Sequence, residues 1–203
     1  MAIWDTEGQK PRGYLKPCYR YIKDKLGDNL TGAAIGISFG YGEEYVLDSI
    51  IFNRFYMIDP YKHFDFSAMT PELWEEQYKY AVNKFSGLGH VTLWRATSEE
   101  ASKLIEDHSL DFVYIDGNHF YPAVKMDIDL WWPKIKDGGV IGGHDYYDVD
   151  QSVNLDELIY DWRVNGIHYG VVKAVRDFAR KNNKLVHCAP AETETAYDWW
   201  IDK

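Results

Sequence analysis

Leu110-Asp111-Phe112-Val113-Tyr114-Ile115-Asp116-Gly117-Asn118-His119 and, a helical link later, Asp137-Gly138-Gly139-Val140-Ile141-Gly142-Gly143-His144-Asp145-Tyr146-Tyr147 together decide the fold. Phe112 to Ile115 is a short apolar run, β-branched and aromatic, that breaks off at Asp116-Gly117-Asn118-His119. Val140 and Ile141 form a second run that breaks off at Gly142-Gly143-His144-Asp145. Between them Pro122 sits where a first helical turn begins, and Val124, Ile128, Trp131 and Ile135 recur at helical spacing. Strand, helix, strand is the βαβ unit, whose parallel strands bring both carboxyl ends to one edge of the sheet. Asp116, His119, His144 and Asp145 are therefore expected to meet at the edge where open α/β sheets bind ligands.

Working outward, the alternation continues in both directions. Tyr14 to Leu26 reads as a helix ended by Gly27, and Ala33 to Ile37 as a first strand running into Ser38-Phe39-Gly40-Tyr41-Gly42 and a helix to Ile51. Phe55 to Ile58 is a second strand ending at Asp59-Pro60, Pro71 opens a helix to Phe85, and Val91 to Trp94 is a third strand before a helix capped by Ser98. Downstream, Asp148 to Tyr169 is long for a strand-to-helix connection, where about 2–6 residues is usual, and such insertions are often lids. Val171 to Arg180 is a further helix, and Leu185 to Ala189 with Ala196 to Ile201 would close the sheet as a hairpin. Asp127, Asp129 and Asp137 read as a solvated helix face and a turn. The expected architecture is one α/β domain over residues 1–203, with a loose arm at residues 1–13 and an acceptor-site lid at residues 146–169.

Composition narrows the function classes. A chain of 203 residues with 46% hydrophobic residues can bury a core, and no stretch approaches the roughly 18 apolar residues of a membrane span. No basic-then-apolar leader opens it, and two cysteines, Cys18 and Cys188, suit a reducing, cytoplasmic setting. The formal net charge of −10 argues against nucleic acid or an anionic membrane as partner. The 8 Trp and 16 Tyr are mostly expected in the core, though exposed rings would offer faces to sugars. A homodimer is compatible with all of this.

Gly36, Gly40 and Gly42 lie where the first strand turns into a helix, where glycine admits close backbone approach and the helix N-terminus can face an anion. Asp59 ends the second strand, the place where an acid can take both hydroxyls of a ribose. Gly36-x-x-x-Gly40-x-Gly42 is not the G-x-G-x-x-G dinucleotide spacing, and no P-loop is present. At this point the chain resembles class I S-adenosylmethionine-dependent methyltransferases. The matching residues are Ile35 to Tyr41, Tyr56 to Pro60, Asp111 to His119, and Asp137 to Ile141 leading to His144-Asp145-Tyr146. The resemblance covers about Ala33 to Arg180 and implies a Rossmann-like fold, a mostly parallel sheet with helices on both faces and an antiparallel last strand. It implies S-adenosylmethionine as cofactor, held by Gly36, Ser38, Phe39, Gly40, Tyr41 and Asp59, with Asp116 beside it and Thr97 and Ser98 near the adenine. One departure stands out: the family usually carries an acid just before Ile35-Gly36, and here that residue is Ala34. Ser38 is one polar group placed to substitute.

Methyl transfer to an alcohol needs in-line positioning and a route for the hydroxyl proton. A divalent cation lowers the pKa of a bound hydroxyl, and Asp116 and Asp145 offer hard oxygen ligands suited to Mg²⁺. His119, three residues after Asp116, is within reach to act as general base. This Asp-x-x-His spacing with a later His-Asp resembles metal-dependent sugar O-methyltransferases, whose second motif often has two carboxylates; His144 takes one of those places. Imidazole is a poor magnesium ligand, so His144 would either support the site from behind or tilt it toward Mn²⁺. Tyr146, Tyr147, Trp162, Arg163 and Tyr169 are the candidate contacts to a sugar or glycan acceptor. Glu43 and Glu44 favour their helix N-terminus electrostatically and would repel an anionic cofactor.

Other readings remain open on the sequence. The acceptor could be a catechol-like or other small alcohol. Gly36-Ile37-Ser38-Phe39-Gly40 is also G-x-S-x-G, the nucleophile elbow of α/β hydrolases, with Asp116 or Asp145 and His168 or His187 to complete a triad. That elbow normally follows several strands, whereas only 37 residues precede Ser38. A non-catalytic nucleotide- or glycan-binding module would explain the glycines and aromatics but leave the Asp/His cluster idle.

Overall fold

The computed structural model of the chain describes residues 15–62, 69–150, 152–158, 164, 166–190 and 196–203. Its elements follow in order: α1 (Pro17–Leu26), β1 (Leu30–Ile35), α2 (Tyr41–Ser49), β2 (Phe52–Ile58), α3 (Pro71–Phe85), β3 (Val91–Trp94), α4 (Ser98–Ser102), β4 (Leu110–Ile115), α5 (Tyr121–Trp131), β5 (Ile135–Tyr146), α6 (Tyr169–Lys181), β6 (His187–Pro190) and β7 (Tyr197–Asp202). The strands form one sheet in the order β3-β2-β1-β4-β5-β7-β6. Strands β1 to β5 pair in parallel, and β7 inserts antiparallel between β5 and β6. This is the expected mixed, mostly parallel α/β sheet, with the closing hairpin as its antiparallel edge.

Both faces of the sheet are covered, which is why its central strands read as continuous apolar runs. On one face Val113, Ile115 and Ile141 pack under Val124, Ile128 and Trp131 of α5 and Val172 and Val175 of α6. On the other, Ala34, Phe112, Tyr114 and Val140 pack under Tyr19 and Ile22 of α1 and Val46 of α2. The strand order reverses between β1 and β4, and the crevice at that switch point is where ligands enter such sheets.

Four local readings change. The helical stripe Val124, Ile128, Trp131, Ile135 runs one residue too far: Pro133 cannot continue the hydrogen-bonded helix, α5 ends at Trp131 in a 3₁₀ turn over Trp132–Lys134, and Ile135 opens β5 opposite Leu110. Thr97, not Ser98, caps α4, in a capping box with Glu100. Asp129 and Asp137 are exposed as expected, but Asp127 is buried on the inner stripe of α5, where burial, against a hydrogen bond with Ser98, raises its pKa to about 6. The pair His144-Asp145 does not end a strand; β5 continues through it to Tyr146.

Among the described residues no helix is long and apolar enough to cross a membrane. In the segment 146–169, a 3₁₀ turn at Leu155–Glu157 is tied to α6 by Lys173, which pairs with Asp156 at 3.0 Å. Tyr147 fastens the end of the segment by donating its hydroxyl to the Gly166 carbonyl at 2.8 Å. The expected loose arm, the hairpin turn at 191–194, and the acceptor candidates Trp162 and Arg163 lie outside the described residues.

Candidate active site

The ends of β1 and β4 meet first. The Asp116 N–H donates to the Ile35 carbonyl at 2.7 Å, and Gly36, at φ 84°, lies so close that a Cβ there would overlap the Asp116 carbonyl. Glycine is needed at this position for its positive φ and for the approach. Beyond Asp116, the Asn118 side chain accepts from the Phe120 N–H at 3.0 Å and bends the chain into α5. This turn folds His119 back over the strand end, with 15% of its side chain exposed.

Asp145 approaches from the neighbouring strand. Between Gly143 and Tyr146 the β5–β7 register shifts, so β5 carries one extra residue, and Asp145 sits in that bulge at φ 56°. A non-glycine residue with positive φ is strained by about 1–3 kcal/mol and is held by its surroundings. The bulge sends consecutive side chains to different partners. Asp145 Oδ2 lies 3.0 Å from His119 Nε2, with Asp116 Oδ1 on the same nitrogen at 3.6 Å. His144, 6% exposed, instead places Nδ1 2.9 Å from Asp198 Oδ1. Asp198, fully buried on β7, also accepts from the Tyr114 hydroxyl at 2.9 Å and the Cys18 N–H at 2.9 Å. His144 thus anchors the bulge, with one ring nitrogen committed to Asp198, which suits a supporting role behind the site.

Two residues join the site that the sequence reading did not place there. Lys16, just before α1, pairs with Asp116 Oδ2 at 3.2 Å and lies over the Tyr114 ring at 5.6 Å. His168 packs its ring 4.5 Å from that of His119. The approach of His168 depends on Gly170, where a Cβ would overlap the His119 carbonyl. His119, Asp145 and His168 have ligand atoms within 4.8 Å of one another, a grouping that could hold a metal ion.

The charges at the site are strongly biased. Burial alone would raise Asp116, but Lys16, His119 and His144 outweigh it and hold this carboxyl well below the usual range. Asp145, half-buried, is likewise lowered: desolvation raises it, but the contact with His119 outweighs that. Burial opposes charge on His119, but hydrogen bonds to Asp116 and Asp145 and their negative charges raise its pKa to about 9. The two carboxylates thus favour the protonated form of the His119 imidazole.

The glycine turn stands alongside. Gly40 is left-handed at φ 77° and precedes α2, whose N-terminus has no side-chain cap. Gly42 is exposed, with open space around its Cα. Asp59 stands at the strand end as expected, but its carboxylate holds the turn: Oδ2 accepts from the Ile37 and Ser38 N–H groups at 2.9 and 3.0 Å, and Oδ1 from Tyr61 N–H at 2.7 Å. Phe39 and Tyr41 stack on each other at 5.4 Å and meet Tyr80 of α3 edge-on. The Thr97 hydroxyl is engaged with Glu100, and the Ser98 hydroxyl accepts from the Trp131 indole N–H at 2.8 Å. Glu44, 13% exposed at its side chain, pairs with Lys84 at 3.0 Å, whereas Glu43 is 7% exposed, and burial raises its pKa to about 7.

Of the acceptor candidates, Tyr146 and Tyr147 are core residues; the Tyr146 hydroxyl accepts from Arg176 Nε at 3.2 Å. Tyr169, half-buried at the start of α6, follows His168 directly. The hydrolase triad does not assemble among the described residues: His168 is against His119, and His187 lies on the edge strand β6 stacked on Trp200.

A family model described as a methyltransferase domain matches residues 34–146, which include both strand ends and the glycine turn. An O-methyltransferase from Bacillus cereus, solved in complex with SAH, superposes with a TM-score of 0.61 at 13% identity, covering 95% of this chain and 84% of that one. A precorrin-6y C5,15-methyltransferase from Geobacter metallireducens superposes with a TM-score of 0.57 at 19% identity, covering 97% of this chain and 93% of that one. Among curated proteins, "Uncharacterized protein y4gI" of Sinorhizobium fredii is 45% identical over 53 residues, which are 26% of this chain and 6% of that protein. This chain therefore matches only a small part of that relative's length.

Proposed function

This chain belongs to the methyltransferase-domain family and is an S-adenosylmethionine-dependent methyltransferase, and from that premise we propose that it methylates a hydroxyl oxygen of a sugar or glycan, with His119 taking the proton. The observation that carries the proposal is the His119 imidazole held between Asp145 at 3.0 Å and Asp116 at 3.6 Å, at the carboxyl ends of adjacent parallel strands. When bound, the cofactor supplies a methyl group on a sulfonium and leaves as the neutral thioether. The cofactor's carboxylate suits the uncapped N-terminus of α2.

The chain's own residues then have distinct tasks. Asp145 and Asp116, 3.0 and 3.6 Å from His119 Nε2, orient the ring that takes the acceptor proton. Because the two carboxylates favour its protonated form, His119 becomes a base only once it has lost its proton. A divalent cation suits the donors present: the half-buried Asp145 carboxylate converges with the imidazoles of His119 and His168, and Asp116 stands 3.6 Å from His119 on the other side. Asp116 and Asp145 would hold it, with His168 as a further donor, and it would acidify the acceptor hydroxyl. His144 drops out of the ligand set in this proposal because it is not in the group whose ligand atoms converge, and its Nδ1 contact with Asp198 holds the bulge instead.

The sugar assignment is supported by the resemblance of the Asp-x-x-His and His-Asp pattern to sugar O-methyltransferases. A formal net charge of −10 disfavours nucleic acid as the acceptor. The test is transfer of labelled methyl from S-adenosylmethionine to a panel of free sugars, glycosides and catechols, with Mg²⁺, with Mn²⁺ and with chelator. Label on sugars supports the reading; label confined to catechols would replace the acceptor class and keep the chemistry.

A further inference from the structure

We propose that Glu43 receives the ammonium group at the methionine end of the cofactor, the role for which Ala34 offers no acid. The inference rests on the S-adenosylmethionine reading above and adds a residue to it. Glu43 is in the first turn of α2, immediately after the glycine turn, and is 7% exposed. Its carboxyl lies within electrostatic reach of Lys16 before α1, Tyr19 on α1, Asp59 and Tyr61 after β2, and Asp116 after β4. It is thus a buried acid in the turn that follows β1, among charges borne by α1 and by the ends of β2 and β4.

The neighbouring acids are all committed. Asp59 accepts three backbone N–H groups, Asp116 pairs with Lys16, and Glu44 pairs with Lys84. Glu43 is different: among the described residues no cation lies within ion-pair distance of it, and its hydrogen bond is to its own backbone N–H. A buried carboxylate without a cation is costly, so it either stays protonated or meets a positive ligand. Its place selects which positive group of the cofactor arrives. A carboxylate seated on the N–H groups of α2's first turn carries its ammonium one carbon away, beside a side chain of the same turn. The raised pKa of about 7 agrees: the acid is poised to ionise when a cation arrives.

The test compares S-adenosylhomocysteine, which carries the ammonium, with 5′-methylthioadenosine, which lacks the amino-acid end, by calorimetry on the wild type and Glu43→Gln. The expected result is a tenfold or greater loss for S-adenosylhomocysteine in Glu43→Gln, with 5′-methylthioadenosine unchanged within twofold. Wild-type affinity for S-adenosylhomocysteine should also rise from pH 6 to pH 8, and this dependence should flatten in the variant. Glutamine is isosteric, and a thermal melt confirms that the variant folds. Unchanged S-adenosylhomocysteine binding, or equal loss of both ligands, overturns the role of Glu43 while leaving the methyltransferase reading intact. A wild type that binds neither ligand overturns both.

Discussion

His119 Nε2 and Asp145 Oδ2 stand 3.0 Å apart across the β4–β5 boundary, joined by a β-bulge on one side and an Asn118-stabilised turn on the other. The contact sets both the orientation and the charge of the imidazole, and it organises what the site can do. If His119 is the base, His119→Ala should lower turnover by about 10²–10⁴-fold while leaving S-adenosylhomocysteine affinity within a few-fold. Calorimetry beside a methyl-transfer assay separates the two quantities; equal loss of both would make His119 a structural residue.

The pH dependence follows from the sign of the His119 shift. Its pKa is raised to about 9, so the protonated form dominates at neutral pH and the basic form appears as pH climbs through about 9. With chelator present, turnover should rise close to tenfold per pH unit from pH 6 to 8 and level off near pH 9. A cation on the carboxylates would withdraw the negative charge that holds the proton, and the rise should move to lower pH. A flat profile in both conditions would show that His119 does not need to lose its proton.

Asp145→Asn removes one of the two charges that hold the imidazolium. The rising limb should move toward the ordinary histidine range, the plateau should fall, and the response to added Mg²⁺ should weaken with it. Unchanged activity would remove Asp145 from the site.

Asp198 is fully buried and accepts from Cys18 N–H, Tyr114 and His144. Asp198→Ala strands those groups and should cost about 3 kcal/mol, seen in urea as a lower midpoint with unchanged slope. Because His144 anchors the bulge, turnover should fall even where the variant is folded. A stable, fully active Asp198→Ala would show that the bulge holds itself.

Glu43 also makes a prediction for the ligand-free protein. Burial raises its folded pKa from 4.5 to about 7, so its contribution to stability is complete below pH 4.5 and is lost as pH rises through about 7. Glu43→Gln should match the wild type near pH 4 and exceed it at pH 8 by up to roughly 3 kcal/mol. Part of the pH slope should persist in the variant, because Asp127 is raised in the same sense to about 6. Urea titrations at pH 4 and pH 8 would decide; a variant less stable at pH 8 contradicts the absence of a cation beside Glu43.

The βαβ frame was legible because buried parallel strands cannot hide the polar residues at their ends. Asp116, His119 and Asp145 meet where the alternation of Phe112–Ile115 and Val140–Ile141 placed them. The start of β5 was not, since Ile135 continues the helical stripe and only Pro133 marks the break. Asp127 could have been read: it lies three residues after Val124, on the inner stripe of α5. The partners of His144 and His119 could not. One is Asp198, on a strand 54 residues later, and the other is His168, seated by the fit of Gly170 against a carbonyl. Contacts of that kind depend on tertiary approach, which local spacing does not encode. The different fates of Glu43 and Glu44 follow from helix phase, one buried without a cation in ion-pair distance among the described residues and the other paired with Lys84 of α3.

The most direct test is labelled methyl transfer to the sugar panel at pH 9, comparing the wild type with His119→Ala at saturating cofactor. The account predicts label on a sugar hydroxyl with the wild type and at least a hundredfold less with the variant, both proteins binding S-adenosylhomocysteine. Equal transfer by the two proteins, or none by a wild type that binds the cofactor product, would contradict it.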